Sequence, residues 1–378
     1  LRDIFVDRVL SHSTDDMGEE FIEEYARFLE PTLLQVGDRQ IRAGSVVIAT
    51  GSHPLVPGPW QTFGDRIVTT DEFFELEELP AAMAVIGLGT IGLELGQSLA
   101  RLGVEVTGFD QLETIAGLQD PEVQRHAIDI LGKSFPMHLG QPAEIEAAGE
   151  RLKVSAGDHS VLVDKVLCSV GRVPNVRNLG LEKLGIELDS NGMPPVDTNT
   201  MQLADLPVFL AGDVTGERMI LHEAGDEGRI AGYNAAHDSV RAFRRKTPLA
   251  INFCDPNICT VGARWNELDP DTSEFGEIGF APVGRALIMG RHRGVLRVYG
   301  DKQSGRILGA EMVGPRCEHL AHLLCWCIEQ QLTVGELLRM PFYHPVIEEA
   351  LQAALYSLYR KVETKNEGDL VELYNLPE

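Results

Sequence analysis

A short apolar strand that runs into glycines at fixed intervals and then into a helix leaves the backbone few options. This chain carries one in its middle: Ala84-Val85-Ile86-Gly87-Leu88-Gly89-Thr90-Ile91-Gly92. In such a G-x-G-x-x-G the first glycine permits the tight turn, the second lets a phosphate come close, and the third lets helix pack on strand. The helix that follows, predicted over 93–102, begins where a pyrophosphate would rest on free backbone N–H groups. Val104-Glu105-Val106-Thr107-Gly108-Phe109-Asp110 reads as the next strand of a βαβ unit. It ends in an acid about 20 residues beyond the glycines, where a ribose hydroxyl needs an acceptor. A carboxylate accepts from a 2′-hydroxyl and repels a 2′-phosphate, so Asp110 predicts NAD(H) rather than NADP(H).

Bulk properties narrow the partners. At 378 residues the chain has room for two or three domains, and 44% hydrophobic with 24% charged residues is the balance of a globular protein. A formal net charge of −24 argues against nucleic acid or an anionic membrane, which would both repel it. No run reaches the roughly 18 apolar residues of a membrane span, and Leu1-Arg2-Asp3-Ile4-Phe5 is no secretory signal. A cytoplasmic protein is expected. Six cysteines without paired metal-ligand spacing fit reduced thiols and predict no metal site.

Along the chain, a polar, acidic start over 11–24 is followed by two short predicted strands, 32–36 and 39–43, joined by a Gly37-Asp38 turn. The apolar run Ser45-Val46-Val47-Ile48-Ala49-Thr50-Gly51-Ser52 then ends in small residues, the form of a strand that meets a ligand. Pro54, Pro57, Pro59 and the acidic stretch 71–80 read as a linker. From Gly87 to about Gly171 strands and helices alternate, as a parallel or mixed sheet with crossover helices requires. Val208-Phe209-Leu210-Ala211-Gly212-Asp213 is a further strand and turn, leading to a helix over 221–236. Beyond Lys246-Thr247-Pro248, strands at 294–299 and 306–311 precede helices, the order of a separate α+β domain. The last helix sets Ile347, Leu351, Leu355 and Leu358 on one face, a stripe that needs a core or a second subunit.

Four motifs therefore stand in one order: Ala49-Thr50-Gly51-Ser52, Gly87 to Glu94, Gly171-Arg172-Val173-Pro174-Asn175, and Ala211-Gly212-Asp213-Val214, closed by His344-Pro345. Over essentially the whole chain this order resembles the FAD-dependent pyridine nucleotide-disulfide oxidoreductases, most closely the dihydrolipoamide dehydrogenase group. The resemblance implies an α/β fold of two Rossmann-like dinucleotide-binding domains, a split and incomplete FAD domain and an inserted NAD domain, with a C-terminal α+β dimerisation domain. The implied boundaries are 1–78 and 196–246 for the FAD domain, 79–195 for the NAD domain and 247–378 for the interface domain. Thr50, Gly51 and Ser52 would face the flavin nucleotide, and Asp213 would bond the ribityl chain. Met219, Ile220, Leu221 and His222 would present backbone N–H groups to the flavin ring, where a helix start stabilises the anionic edge of the reduced form. Gly87, Leu88, Gly89, Thr90, Ile91, Gly92, Leu93, Glu94, Asp110 and Gly171 would bind NAD(H). Phe342-Tyr343-His344-Pro345-Val346-Ile347-Glu348-Glu349 resembles the family's H-P-T-x-x-E, which implies His344 as acid/base for a thiol and Glu349 as the carboxylate that orients it. An imidazole titrating near neutral pH can take such a proton and return it. Val346 stands where the family has Thr, and Glu348 is a second acid nearby.

The family's chains open with a further G-x-G-x-x-G for FAD and a redox-active C-x-x-x-x-C, and neither precedes Ile48 here. The expectation is an enzyme shown without roughly its first hundred residues, by domain-size proportions, in keeping with a first residue other than Met. Cys254-Asp255-Pro256-Asn257-Ile258-Cys259 has the right spacing, but Pro256 and the match of 253–262 to the opening strand of the interface domain read it as two buried thiols. The implied activity moves electrons between a dithiol or disulfide and NAD through a redox disulfide and FAD. It implies a homodimer, with His344 of one subunit serving the disulfide of the other. Reductases of mercuric ion or of low-molecular-weight disulfides share every motif. A transhydrogenase of this fold would have no use for the His344/Glu349 pair, and a non-catalytic NAD-binding and dimerisation fragment is a reading from another class.

Overall fold

In the computed structural model, which describes residues 2–15, 17–365, 370–374 and 376, the mid-chain fingerprint lies at the centre of a five-stranded parallel sheet. Strand Ala82–Ile86 is buried at every position, as a parallel strand covered on both faces must be. Glu105–Phe109 pairs with it on one side and Lys165–Cys168 on the other, and Met137–His138 and Ile67–Val68 form the edges. Ile86 stands level with Phe109 and Cys168, so the three central strands end flush at the face where open α/β sheets bind ligands.

The first crossover is the helix Thr90–Arg101, which buries Leu93, Gly96, Gln97 and Leu99. The return to Lys165–Cys168 departs from the alternation read in the sequence. Three antiparallel strands, Glu144–Ala148, Arg151–Ala156 and His159–Val163, take the place of a helix there. Within Arg151–Ala156 the buried residues are Leu152, Val154 and Ala156, a period of two that only an extended ribbon can turn to one face. That face covers Ala84, Ile86 and Val166 of the parallel sheet.

The same compact unit, residues 54–172 and 246–378, contains a five-stranded antiparallel sheet. Its strand order is Leu249–Asn252, Asn257–Gly262, Ile307–Gly314, Val295–Asp301 and Ser273–Gly279. Leu351, Leu355 and Leu358 of helix Glu349–Tyr359 are buried against it in one cluster with Leu296, Val298 and Met312. Ile347, which the sequence placed on this helix, joins the cluster from the turn ahead of it, so the stripe is satisfied within the chain. A buried polar knot ties the two sheets together. Asp120, fully buried, caps helix Pro121–Leu131 by accepting from the amides of Glu122 and Val123. It also accepts from Arg297 at 3.0 and 3.2 Å and from the Tyr299 hydroxyl at 3.0 Å. Glu311, also fully buried, accepts from the amides of Gln119, Asp120 and Trp265. Burial, with Glu311 and Asp120 close by, raises the Tyr299 pKa far above its ordinary value and keeps the hydroxyl a donor.

The second unit comprises residues 1–53 and 173–245. It opens on a helix, Arg2–Thr14, that the polar reading of the start did not announce. Strands Ala26–Glu30, Leu33–Val36 and Arg39–Arg42 form an antiparallel sheet, the last two joined at Gly37 as read from the sequence. Val46–Ile48 pairs in parallel with Val208–Leu210, and helix Leu221–Ala235 lies beside them, tied by the Ser45 hydroxyl to the Ala235 carbonyl at 2.6 Å. The outer ends of the first and last expected domains, Leu1 and residues 377–378, lie outside the described residues. No helix among the described residues is long and apolar enough to cross a membrane.

Candidate active site

The glycines of the fingerprint are fixed by three different constraints. Gly87 has φ +94°, and a Cβ there would lie 2.3 Å from the Ser169 carbonyl oxygen. At Gly92 a Cβ would lie 1.9 Å from the Gly87 carbonyl oxygen, so turn and helix touch only because Gly92 lacks a side chain. Gly89 has open space where its side chain would be. It is the N-cap of helix Thr90–Arg101, and no side chain caps that end, so the first-turn amides lack intrahelical partners. Asp110 sits beside them: one carboxylate oxygen accepts from the Leu88 amide at 2.6 Å and the other from the Leu112 amide at 2.9 Å. Each oxygen keeps a second acceptor position for a hydroxyl.

These groups line a cavity of about 530 Å³ together with Gly171, Leu55, Pro57 and Trp60, a size suited to a small organic ligand. The lining fits a dinucleotide: helix amides for phosphate, a carboxylate for ribose and apolar walls. Leu88 and Leu93 are fully buried in the core and could contribute only backbone. Glu94 accepts from the Phe253 amide at 2.6 Å and so ties the helix to the antiparallel sheet. Trp60 escaped the sequence reading, because Pro57-Gly58-Pro59 marked its surroundings as linker.

In the other unit, Thr50, Gly51, Ser52 and Asp213 are brought together. The Ser52 hydroxyl donates to Asp213 at 3.0 Å, the Thr50 hydroxyl donates to the Asn175 carbonyl at 2.7 Å, and the Asn175 amide group donates back to the Thr50 carbonyl at 2.9 Å. The turn holding Asp213 is braced from behind by Glu227, fully buried, which accepts from the Gly212 amide at 2.9 Å and from Arg245 at 2.9 Å. Arg245 also bonds Glu223 at 2.6 Å. Burial alone would raise Glu223, but its bonds from Arg218 and Arg245 prevail and hold it below the ordinary carboxylate range. Met219 and Ile220 lead into helix Leu221–Ala235, whose start carries Leu221 and His222 and has no side-chain cap. Leu221 is 88% exposed and Gly51 has open space beside it, so this end fits a flat apolar ring over free amides.

His344 and Glu349 form the third cluster. The imidazole Nδ1 lies 2.8 Å from Glu349 Oε1, while Oε2 accepts from the Val346 amide at 3.2 Å. The bond from His344 holds Glu349 below its ordinary 4.5. An ionised carboxylate only accepts, so Nδ1 carries a proton, and in the neutral imidazole Nε2 holds the lone pair. The His344 side chain is 78% exposed. Glu349, rather than Glu348, is the carboxylate bonded to it. No disulfide joins any of the six cysteines. Cys254 and Cys259 are buried, and burial pushes the Cys254 thiol up to about 12 and raises Cys259 as well, so neither supplies a thiolate near neutral pH.

Comparison with known proteins gives a consistent picture. The family model described as pyridine nucleotide-disulphide oxidoreductase matches residues 11–228, and the dimerisation domain of the same family matches 249–355. Dihydrolipoyl dehydrogenase 2 of Haloarcula marismortui is 30% identical over 355 residues, 89% of this chain and 74% of that protein. The dihydrolipoyl dehydrogenase of Thermus scotoductus is 30% identical over 360 residues, 90% and 76% of the two chains. Among solved structures, the HOCl-induced flavoprotein disulfide reductase RclA from Escherichia coli shares the fold, with a TM-score of 0.82 at 24% identity, covering 95% of this chain and 83% of that one.

Proposed function

Since the chain belongs to the pyridine nucleotide-disulphide oxidoreductases, flavoprotein enzymes that use FAD and NAD(H), we propose that it is a dihydrolipoyl dehydrogenase-type enzyme oxidising a dithiol with NAD⁺. The observation that carries this reading is the exposed His344 with its Nδ1 fixed on Glu349. Oxidising a dithiol to a disulfide releases two electrons and two protons. His344 Nε2 would accept a thiol proton while Glu349 stabilises the resulting imidazolium, and the same atom would return the proton in the reverse direction. FAD, when bound, would carry the electron pair from sulfur to the nicotinamide as a hydride equivalent, leaving one proton to solvent. Thr50, Gly51, Ser52, Asp213 and the helix start at 219–222 would hold it, and the domain limits we assign are 1–78 with 196–246 for FAD, 79–195 for NAD and 247–378 for the interface.

The Gly87–Glu94 turn and helix, with Asp110 and Gly171, would hold NAD(H). Asp110 also favours an unphosphorylated ribose. We assign the protein to the cytoplasm, which its reduced thiols suit, and to a homodimer through the 249–355 domain, which would let His344 serve a dithiol or disulfide substrate bound beside a second copy. The deciding experiment is a steady-state comparison of lipoamide, glutathione disulfide and Hg²⁺ as acceptors for NADH. Lipoamide should be preferred by at least about tenfold in kcat/KM, a difference of roughly 1.4 kcal/mol. A preference for either other acceptor would move the protein to another branch of the family.

A further inference from the structure

We propose that Trp60 is the stacking surface for the adenine base in the 530 Å³ cavity, a deduction that rests on reading this cavity as the NAD(H) site. Trp60 is half-buried and packs, like Phe63, Ala143 and Val170, against one apolar cluster, and it lines the cavity together with Gly89 and Asp110. Its backbone is set by a turn in which Pro57 has φ −55° and the Trp60 amide donates to the Pro57 carbonyl at 2.9 Å. An indole on so constrained a turn offers its ring with little conformational entropy left to lose.

The cavity's polar groups account for the rest of a dinucleotide, namely helix amides for phosphate and Asp110 for ribose. What they do not account for is a planar base, and among the described residues the one large aromatic side chain in the lining is Trp60. Of the two bases, adenine is the one joined to the ribose that Asp110 would hold. Gln111, Leu112, Pro142 and Ala143 line the cavity on the Asp110 side, and Ala143 belongs to the same apolar cluster as Trp60. That common wall places the indole with the adenosine half.

The test uses the full chain and the probes 5′-AMP, reduced nicotinamide mononucleotide and NADH. Trp265→Phe with Trp326→Phe leaves Trp60 as the only indole of three, and saturating 5′-AMP should then quench its emission. By calorimetry, Trp60→Ala should weaken 5′-AMP and NADH by about tenfold or more, the range of base–aromatic stacking. Trp60→Phe should stay within about threefold, and binding of reduced nicotinamide mononucleotide should not change. Unaltered Trp60 emission at saturating 5′-AMP overturns the proposal, even if Trp60→Ala does not fold. So does a Trp60→Ala protein that binds 5′-AMP normally or loses the nicotinamide mononucleotide instead. In those cases NADH still binds and the cavity keeps its assignment; failure of the unmodified protein to bind NADH or 5′-AMP would remove that assignment itself.

Discussion

Replacing Gly89 with Ala should separate nucleotide binding from folding, because the structure gives this glycine space that only a ligand would need. Its backbone, φ −70° and ψ −165°, is one that any residue adopts, and a Cβ there meets no atom within 4 Å. The stability change should stay within about 0.5 kcal/mol. The methyl group would nevertheless enter the open space beside the uncapped helix start, where a phosphate oxygen would have to approach the amides to hydrogen-bonding distance. Losing two charge-assisted bonds at roughly 1.5 kcal/mol each gives about 3 kcal/mol, or a dissociation constant about a hundredfold higher. Gly92→Ala is the contrasting change: its Cβ would lie 1.9 Å from a carbonyl oxygen, about 1.5 Å inside ordinary contact, and backbone cannot rotate away. It should cost about 1–3 kcal/mol of stability as well as binding. NADH fluorescence titration and urea unfolding on the same preparations measure both quantities. A Gly89→Ala protein that binds NADH within about threefold of wild type, or that loses as much stability as Gly92→Ala, would refute the reasoning.

His344→Gln should cut lipoamide turnover by at least about a hundredfold, in the range of a lost general acid/base, while NADH-to-dye electron transfer survives; parallel loss of both rates would defeat the assignment of His344. Arg297→Met leaves the fully buried Asp120 without its cation and should cost about 3–5 kcal/mol in urea unfolding, with partial recovery when Asp120→Asn is added. Because His344 holds Glu349 below 4.5, Glu349 contributes stability above that pH and loses it as pH falls through its depressed value. Glu349→Gln should therefore flatten the decline of Tm below pH 4.5, and an unchanged acid limb by calorimetry would exclude the linkage. Asp110→Ser should weaken NADH by about tenfold and narrow its advantage over NADPH, in line with one charge-assisted hydrogen bond, as read from KM values for the two nucleotides.

Features that depend on neighbouring residues were legible in the chain. The strand, turn and helix around Gly87, the acid at the end of the next strand, the turn at Gly37 and the helix from Leu221 all follow from local periodicity and glycine placement, and the order of the motifs carried the family. The crossover to Lys165–Cys168 was not legible as three strands, since a period of two over 151–156 is too short to stand out.

What the sequence by itself determined is the set of chemical groups and their order along the chain: a glycine turn at a helix start, an acid at the end of the next strand, an imidazole with a carboxylate within reach. Only the tertiary structure decided which of them meet. It chose Glu349 over Glu348 for His344, and it turned Leu88 and Leu93 into the core. It also set Glu94 against the Phe253 amide, closed Asp120, Arg297 and Tyr299 into one buried knot, and swung Trp60 out of an apparent linker into the wall of the cavity. The physical reason is that hydrogen-bond geometry and burial are set by approaches between segments as many as 192 residues apart, and local backbone preferences do not encode them.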